Sequence, residues 1–213
     1  AVIDLLTALS KDKRGDVAFV LFDLEEAGLI GSSAFAKMHR KEIKDALAYL
    51  SVIANPNDSV RLQRIINVPK RGIGDASVSA ALEIADGLGI SLFDVISHAD
   101  SYPALSRSSR KMLDFARIME EFIEDSGNMA LDELFKKVIN FSGYVESLAL
   151  EPETREDRIA NLEELSNNLI RYSEENDEPT LNDFLQEVAL MTDIDNYNAE
   201  AETVVMMTIH AAK

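Results

Sequence analysis

From residue 40 to residue 190 the apolar residues of this chain recur at three- and four-residue steps, with proline or glycine interrupting the pattern. A chain so patterned has stripes to bury rather than sheet faces, which constrains it to a stack of amphipathic helices. The spacing predicts a helix over 40–54 on Ile43, Leu47, Leu50 and Ala54, stopped by Asn55-Pro56. Asp58 or Ser59 then caps a short helix to about 66 that buries Val60, Leu62 and Ile65. Pro69, Gly72 and Gly74 mark a turn, because proline forbids continuation and glycine permits positive φ. Asp75 or Ser77 caps the next helix, ended by Gly87 and Gly89, and Ser91 starts another that fades between Ile96 and His98. Pro103 leads a long amphipathic stretch over 106–125, closed by Gly127. Helices over 131–139 and 144–150 flank Gly143. The stretch 154–175 repeats Ile159, Leu162, Leu165 and Leu169, and 181–190 follows Pro179 with Phe184, Val188 and Leu190 inward.

Two stretches break the helical rule. At the C-terminus, Thr203 to Ile209 is an apolar, strand-like run that ends on Thr208-x-His210-x-x-Lys213. Such a strand needs partner strands that the rest of the chain does not pattern, so the sequence is expected to be a piece of something larger. At the N-terminus, residues 1–9 read as helix, while 16–24 fits an alternating strand (Val17, Phe19, Leu21) or a helix, and periodicity leaves both open.

Composition excludes several classes. The 213 residues carry 46% hydrophobic and 28% charged side chains, as an ordinary globular chain does. No apolar run approaches the roughly 20 residues that span a bilayer, and residues 1–9, interrupted by Asp4, are too short for a signal peptide. With no cysteine, thiolate metal sites and disulfides are impossible, which fits a cytoplasmic protein. His39, His98 and His210 lack the pairing that a histidine metal site needs.

Charge is unevenly distributed within the net −17. Residues 146–202 hold 17 acids against Arg155, Arg158 and Arg171. Residues 37–71 hold eight bases against Glu42, Asp45 and Asp58. This asymmetry describes either one basic working surface on an acidic body or two ordinary solvated faces. Within the basic stretch, Arg61, Arg64, Lys70 and Arg71 surround the turn Pro69 to Gly74, with no acid from Ser59 to Gly74. Two short helices joined by Gly72-Ile73-Gly74 make a helix-hairpin-helix-like element. Its glycines admit close approach of backbone N–H groups to phosphate, and the following helix start adds partial positive charge. That layout grips a nucleic-acid backbone without reading sequence; a plain helix-helix turn is the alternative.

Catalytic signatures are missing from the sequence. There is no Gly-x-x-x-x-Gly-Lys-Ser/Thr phosphate loop, no Gly-x-Ser-x-Gly and no His-Glu-x-x-His. Asp193-Ile194-Asp195-Asn196 lacks the glycine and glutamate of a calcium loop and reads as a solvated linker. Carboxylates at helical spacing on the acidic helices read as surface, and His98 as a helix-terminal or surface residue.

The ordered motifs resemble a known family. Phe35 and Arg40-Lys41-Glu42-Ile43-Lys44-Asp45-Ala46-Leu47-Ala48-Tyr49-Leu50 lead to Asn55-Pro56-Asn57-Asp58 and then to Arg64-Ile65-Ile66-Asn67-Val68-Pro69-Lys70-Arg71-Gly72-Ile73-Gly74. Ser91-Leu92-Phe93, Ser142-Gly143-Tyr144, Arg158-Ile159-Ala160-Asn161-Leu162-Glu163-Glu164-Leu165 and Phe184-Leu185-Gln186-Glu187-Val188-Ala189-Leu190 follow, before Met207-Thr208-Ile209-His210-Ala211-Ala212-Lys213. In this order they resemble the UvrD/PcrA/Rep superfamily 1A DNA helicases, whose matching region is the helical subdomain 2B inserted in the RecA-like domain 2A.

The resemblance implies an all-α multi-helix 2B-type subdomain over 35–202, containing the helix-hairpin-helix-like element. Residues 203–213 would be a short C-terminal strand of the adjoining RecA-like domain and the start of motif V. Residues 1–34 follow the family's pattern poorly and stay unassigned, as a 2A remnant, a rearranged piece or a foreign addition. The implied function is duplex or forked DNA contact and regulation within an ATP- and magnesium-dependent 3′–5′ helicase of repair and replication, with no catalytic residue or bound cofactor in this chain. Arg61, Arg64, Lys70, Arg71, Gly72, Ile73 and Gly74 are the implied DNA-binding residues, joined by Thr208 and His210 near the single strand. Lys37, Arg40, Lys41 and Lys44 would be lesser contributors. The competing expectation is a module that binds repair proteins through the acidic surface of 146–202.

Overall fold

Among the described residues every regular element is helical, as the periodicity predicts. The computed structural model describes residues 40–193, with side-chain surroundings for 40–189. The expected strand and motif V start at 203–213 and the segment 1–34 lie outside the described residues. The helices are α1 (Lys41–Ala54), α2 (Ser59–Ile65), α3 (Asp75–Leu88), α4 (Leu92–Ser97), α5 (Ser109–Ser126), α6 (Leu131–Phe141), α7 (Tyr144–Leu148), α8 (Arg155–Glu175) and α9 (Leu181–Asp193). Two 3₁₀ turns, Ala99–Ser101 and Pro103–Leu105, connect α4 to α5.

Local chemistry sets several of these bounds. Asp58 caps α2 by accepting from the Arg61 backbone N–H at 3.0 Å. Ser91 and Asp94 form a reciprocal capping box on α4. α3 runs through Gly87, which the sequence places at its end, and stops at Gly89, whose φ of 65° is the left-handed cap that glycine adopts without strain. Pro103 leads a 3₁₀ turn and not α5, which begins at Ser109.

α1 lies at the centre, packed on α2, α5, α6 and α8. Residues 40–189 belong to one compact unit. Its core runs continuously from Leu50 and Val52 on α1 through Leu62, Ile73 and Phe115 to Phe135 and Leu169. Val60, expected inside, is 77% exposed, because α2 turns only Leu62 and Ile65 inward. No helix of the described residues is long and apolar enough to cross a membrane.

Candidate nucleic-acid interface

The turn between α2 and α3 is built from the inside by one arginine. Arg71 does not extend into solvent. Its Nη1 donates to the Ile65 carbonyl at 3.0 Å, Pro69 at 3.2 Å and Ile66 at 3.4 Å. Its Nη2 donates to the Tyr49 hydroxyl at 2.6 Å and the Ser142 carbonyl at 3.0 Å. The guanidinium also stacks 4.8 Å from the centre of the Phe115 ring. One planar cation thereby ties the turn to α1, α5 and the end of α6. Tyr49 donates onward to the Val68 carbonyl at 2.7 Å. Burial pushes the Tyr49 hydroxyl above its ordinary value of 10.0, with Arg71 pulling the other way.

Asn67 adds a second internal brace. Its Oδ1 accepts from the backbone N–H groups of Arg71 at 2.8 Å and Ile73 at 3.4 Å. Ile73 is fully buried and plugs the turn into the core. The two glycines, equivalent in sequence, differ in structure. Gly72 sits at φ +73°, where a side chain is strained. Gly74 is the extended N-cap of α3 (φ −78°, ψ 158°), and a Cβ there would meet open space. Neither Asp75 nor Ser77 caps α3: Asp75 is its first residue, and Ser77 Oγ lies 2.8 Å from Ser108 Oγ at the start of α5.

What faces outward is small and cationic. Lys70, Gly72 and Gly74 are exposed. Among the described residues, the backbone N–H groups of Gly72 and Gly74 have no hydrogen-bond partner, and Lys70 has no ion pair. Lys111 on α5 reaches across to the Gly72 carbonyl, with Nζ 3.0 Å from it.

The remaining sequence-predicted cations are engaged elsewhere. Arg64 holds Asp45, with Nε and Nη2 each 2.8 Å from Oδ1. Arg61 pairs with its own helix's cap, Asp58, at 2.6 Å. Hydrogen bonds to Asp58 from the Arg61 backbone and guanidinium outweigh the upward effect of its desolvation, so its carboxyl lies below the usual range. Arg40 donates to Asn161 on α8 at 2.7 Å, and Asn161 donates to Glu42 at 2.6 Å. Arg158 lies 3.5 Å from Glu42 and 2.7 Å from Glu151. Tyr144 donates to Asp45 at 2.9 Å. Glu42 and Asp45 are therefore buried anchors, and the three acids of 37–71 each engage at least one arginine. Lys41 and Lys44 stay exposed, and among the described residues their ammonium groups have no partner. Thr208 and His210 lie outside the described residues.

Sequence reasoning missed Lys111 and Asn67, since their contacts to the turn come through space from α5 and through a side-chain carbonyl. His98 is the exposed C-cap of α4, as expected at a helix end, with Nδ1 3.0 Å from the Asp94 carbonyl. A separate cleft of about 500 Å³ among Ile53, Met129, Leu131, Pro179 and Leu181 has no titratable side chain in its lining. The sequence has no phosphate loop. Among the described residues, no three His, Asp or Glu side chains converge as a metal site would require. The groups on view neither fit a nucleotide nor fit its magnesium.

A family model described as the UvrD-like helicase C-terminal domain matches residues 28–213. The ATP-dependent DNA helicase PcrA of Staphylococcus aureus is 37% identical over 189 residues, covering 87% of this chain and 25% of that protein. PcrA of Staphylococcus epidermidis is 38% identical over 192 residues, with the same shares. The chain thus spans about a quarter of the length of the curated relatives it matches.

Proposed function

This chain belongs to the family of UvrD-like helicase C-terminal domains, and from that premise we propose that it is a duplex-contacting regulatory subdomain of an ATP-dependent 3′–5′ DNA helicase. Residues 35–202 form its 2B-like part, and residues 203–213, with Thr208 and His210, begin the adjoining motor strand. Duplex or forked DNA is the substrate, held without sequence preference, in repair or replication. ATP and magnesium belong to other parts of the parent protein.

One observation carries this reading: the turn offers Lys70 and two open backbone N–H groups to solvent, while Arg71, Asn67 and Ile73 hold it rigid from behind. Phosphate oxygens accept from such N–H groups, and the start of α3 adds its partial positive charge. A rigid donor set loses little entropy on binding. Gly72 and Gly74 supply backbone donors and Lys70 the charge. Arg71 and Ile73 act by positioning, and Arg61 and Arg64 flank the site while holding carboxylates. Contact of this kind steers the duplex rather than catalysing its opening.

The experiment is fluorescence anisotropy of a labelled hairpin duplex with the 213-residue chain at low salt. Lys70→Ala should weaken binding and lower the slope of log K against log salt by about 1, leaving the melting temperature unchanged. Arg71→Lys should instead destabilise the fold by about 2 kcal/mol, because an ammonium cannot reach acceptors on three elements at once. Unchanged affinity and slope in Lys70→Ala would remove the turn from the interface. A repair partner captured by wild type and Lys70→Ala alike, with no duplex binding by either, would favour the acidic surface.

A further inference from the structure

We propose that the cleft of about 500 Å³ among Ile53, Met129, Leu131, Pro179 and Leu181 binds a small organic cation, a primary ammonium carried on a hydrocarbon body. The site is independent of duplex contact, and none of its lining residues belongs to the Gly72 turn.

The first argument is the wall. The cleft's volume falls within the roughly 300–1,000 Å³ of small-molecule sites. Ile53, Leu131 and Leu181 are members of the hydrophobic core, so packing behind them fixes three sides in advance. Met129 packs against the same core, and its unbranched thioether can adapt to an apolar guest. No titratable side chain lines the cleft, so the protein supplies no counter-charge for an anion.

The second argument is the kind of polar group on offer. Each hydroxyl in the lining has already given its hydrogen away. Ser126 donates to the Ile123 carbonyl at 2.7 Å, Ser173 to the Leu169 carbonyl at 2.9 Å, and Thr180 to Asp183 Oδ2 at 2.6 Å. What these oxygens keep is acceptor capacity. The carbonyls of Ile53, Ala54, Ser126, Gly127 and Ser173, all lining residues, have no hydrogen-bond partner among the described residues. They are the orphan acceptors that the ends of α1, α5 and α8 leave.

The third argument is the sign of the field. α1, α5 and α8 end at the cleft, and none carries a basic residue in its last turn, so three partial negative charges stand uncompensated. α6 and α9 start there, but Asp132 and Glu133 offset the positive end of α6, and Asp183 that of α9. The charged residues next in sequence to the lining are Asp125, Asp132, Glu174, Glu178 and Asp183, with no base among them. Lys137 and Lys136 hold the first two. An ammonium brings three donors to the orphan carbonyls and a positive charge to the helix ends, while its hydrocarbon body covers the apolar wall.

The test is isothermal titration calorimetry of the 213-residue chain with 4-phenylbutylamine at pH 7 and low salt, where the amine is protonated. The neutral isostere 4-phenylbutan-1-ol, which has the same body, should bind about tenfold more weakly. Asn182 is an exposed lining residue without a partner, so its charge can be changed at little risk to the fold. Asn182→Lys should weaken the amine about tenfold, and Asn182→Asp should tighten it severalfold. Glu163→Gln makes the same change in net charge as Asn182→Lys, about 15 Å along α8 from Ser173, and should leave the affinity as in wild type. Equal affinity for amine and alcohol would refute a cation site. Equal weakening by Asn182→Lys and Glu163→Gln would show attraction to the acidic surface and refute the cleft. No heat and no rise in melting temperature with either compound would refute the site outright.

Discussion

Gly72 and Gly74 look interchangeable as letters, yet the backbone asks different things of them. Gly72 occupies φ +73°, and a Cβ built there would stand 2.6 Å from Lys111 Nζ. Alanine at this position must accept left-handed strain and displace the lysine that bonds the same residue's carbonyl. The left-handed conformation costs a non-glycine residue about 1 kcal/mol, and the lysine contact adds to that. Gly74 lies in extended space with nothing near its missing side chain, so alanine there should be close to neutral. Urea unfolding of Gly72→Ala and Gly74→Ala should therefore separate them by at least about 1 kcal/mol, the first being the less stable. Equal midpoints would mean that the turn relaxes around position 72. The same residue-level logic reassigns Arg71. A basic residue beside glycines reads from sequence as a phosphate ligand, but its acceptors come from residues 49, 65, 66, 69 and 142. Nothing in the local pattern announces the Tyr49 hydroxyl and the Ser142 carbonyl, which come from distant parts of the chain.

At the scale of elements, α1 shows both what periodicity reveals and what it hides. Its bounds and its apolar stripe were legible from Ile43, Leu47 and Leu50, and Asn55-Pro56 marked its end. The charge count sets Glu42 and Asp45 against the bases of 37–71, but it does not show that both acids are buried. Their positions carried the missed signal: Glu42, Asp45, Tyr49 and Val52 follow one another at helical steps, so the acids share a stripe with buried Tyr49 and Val52. An acid on an apolar stripe must find partners, and Arg64, Arg158, Asn161 and Tyr144 provide them. α1 is thereby fastened to α2, α7 and α8 through polar groups as well as through its core. Burial first, and Asp45 next, raise the Tyr144 hydroxyl well above its ordinary value of 10.0. Because the folded value lies above the unfolded one, this stabilisation is complete below about pH 10 and is lost as pH rises beyond it. Tyr49 is raised as well and adds to the same decline. Tyr144→Phe should cost about 1 kcal/mol at pH 8 by removing a hydrogen bond. It should also make the fall in urea midpoint between pH 8 and pH 11 shallower than in wild type. A decline of unchanged steepness would place the alkaline sensitivity elsewhere.

At the scale of the whole chain, salt should act on stability and on binding with opposite signs. The net charge of −17 is concentrated on one stretch, and on α8 the acids Glu156, Asp157, Glu163, Glu174 and Glu175 are exposed. Like charges held close on a folded surface repel more than they do in an expanded chain, so screening favours the fold. The exposed ion pairs that salt weakens, such as Arg61–Asp58 and Lys136–Asp132, each contribute little. The buried pairs of Glu42 and Asp45 are screened much less. The balance predicts that the melting temperature rises between 50 and 500 mM KCl at pH 7. Duplex affinity over the same range should fall steeply, because the proposed contact neutralises phosphates with a few exposed cations. The two measurements share one sample and one variable, and a surface divided into an acidic body and a small basic face gives them opposite slopes. A melting temperature that falls with salt would show that surface ion pairs outweigh repulsion. Duplex affinity indifferent to salt would show that any contact is not made through phosphates.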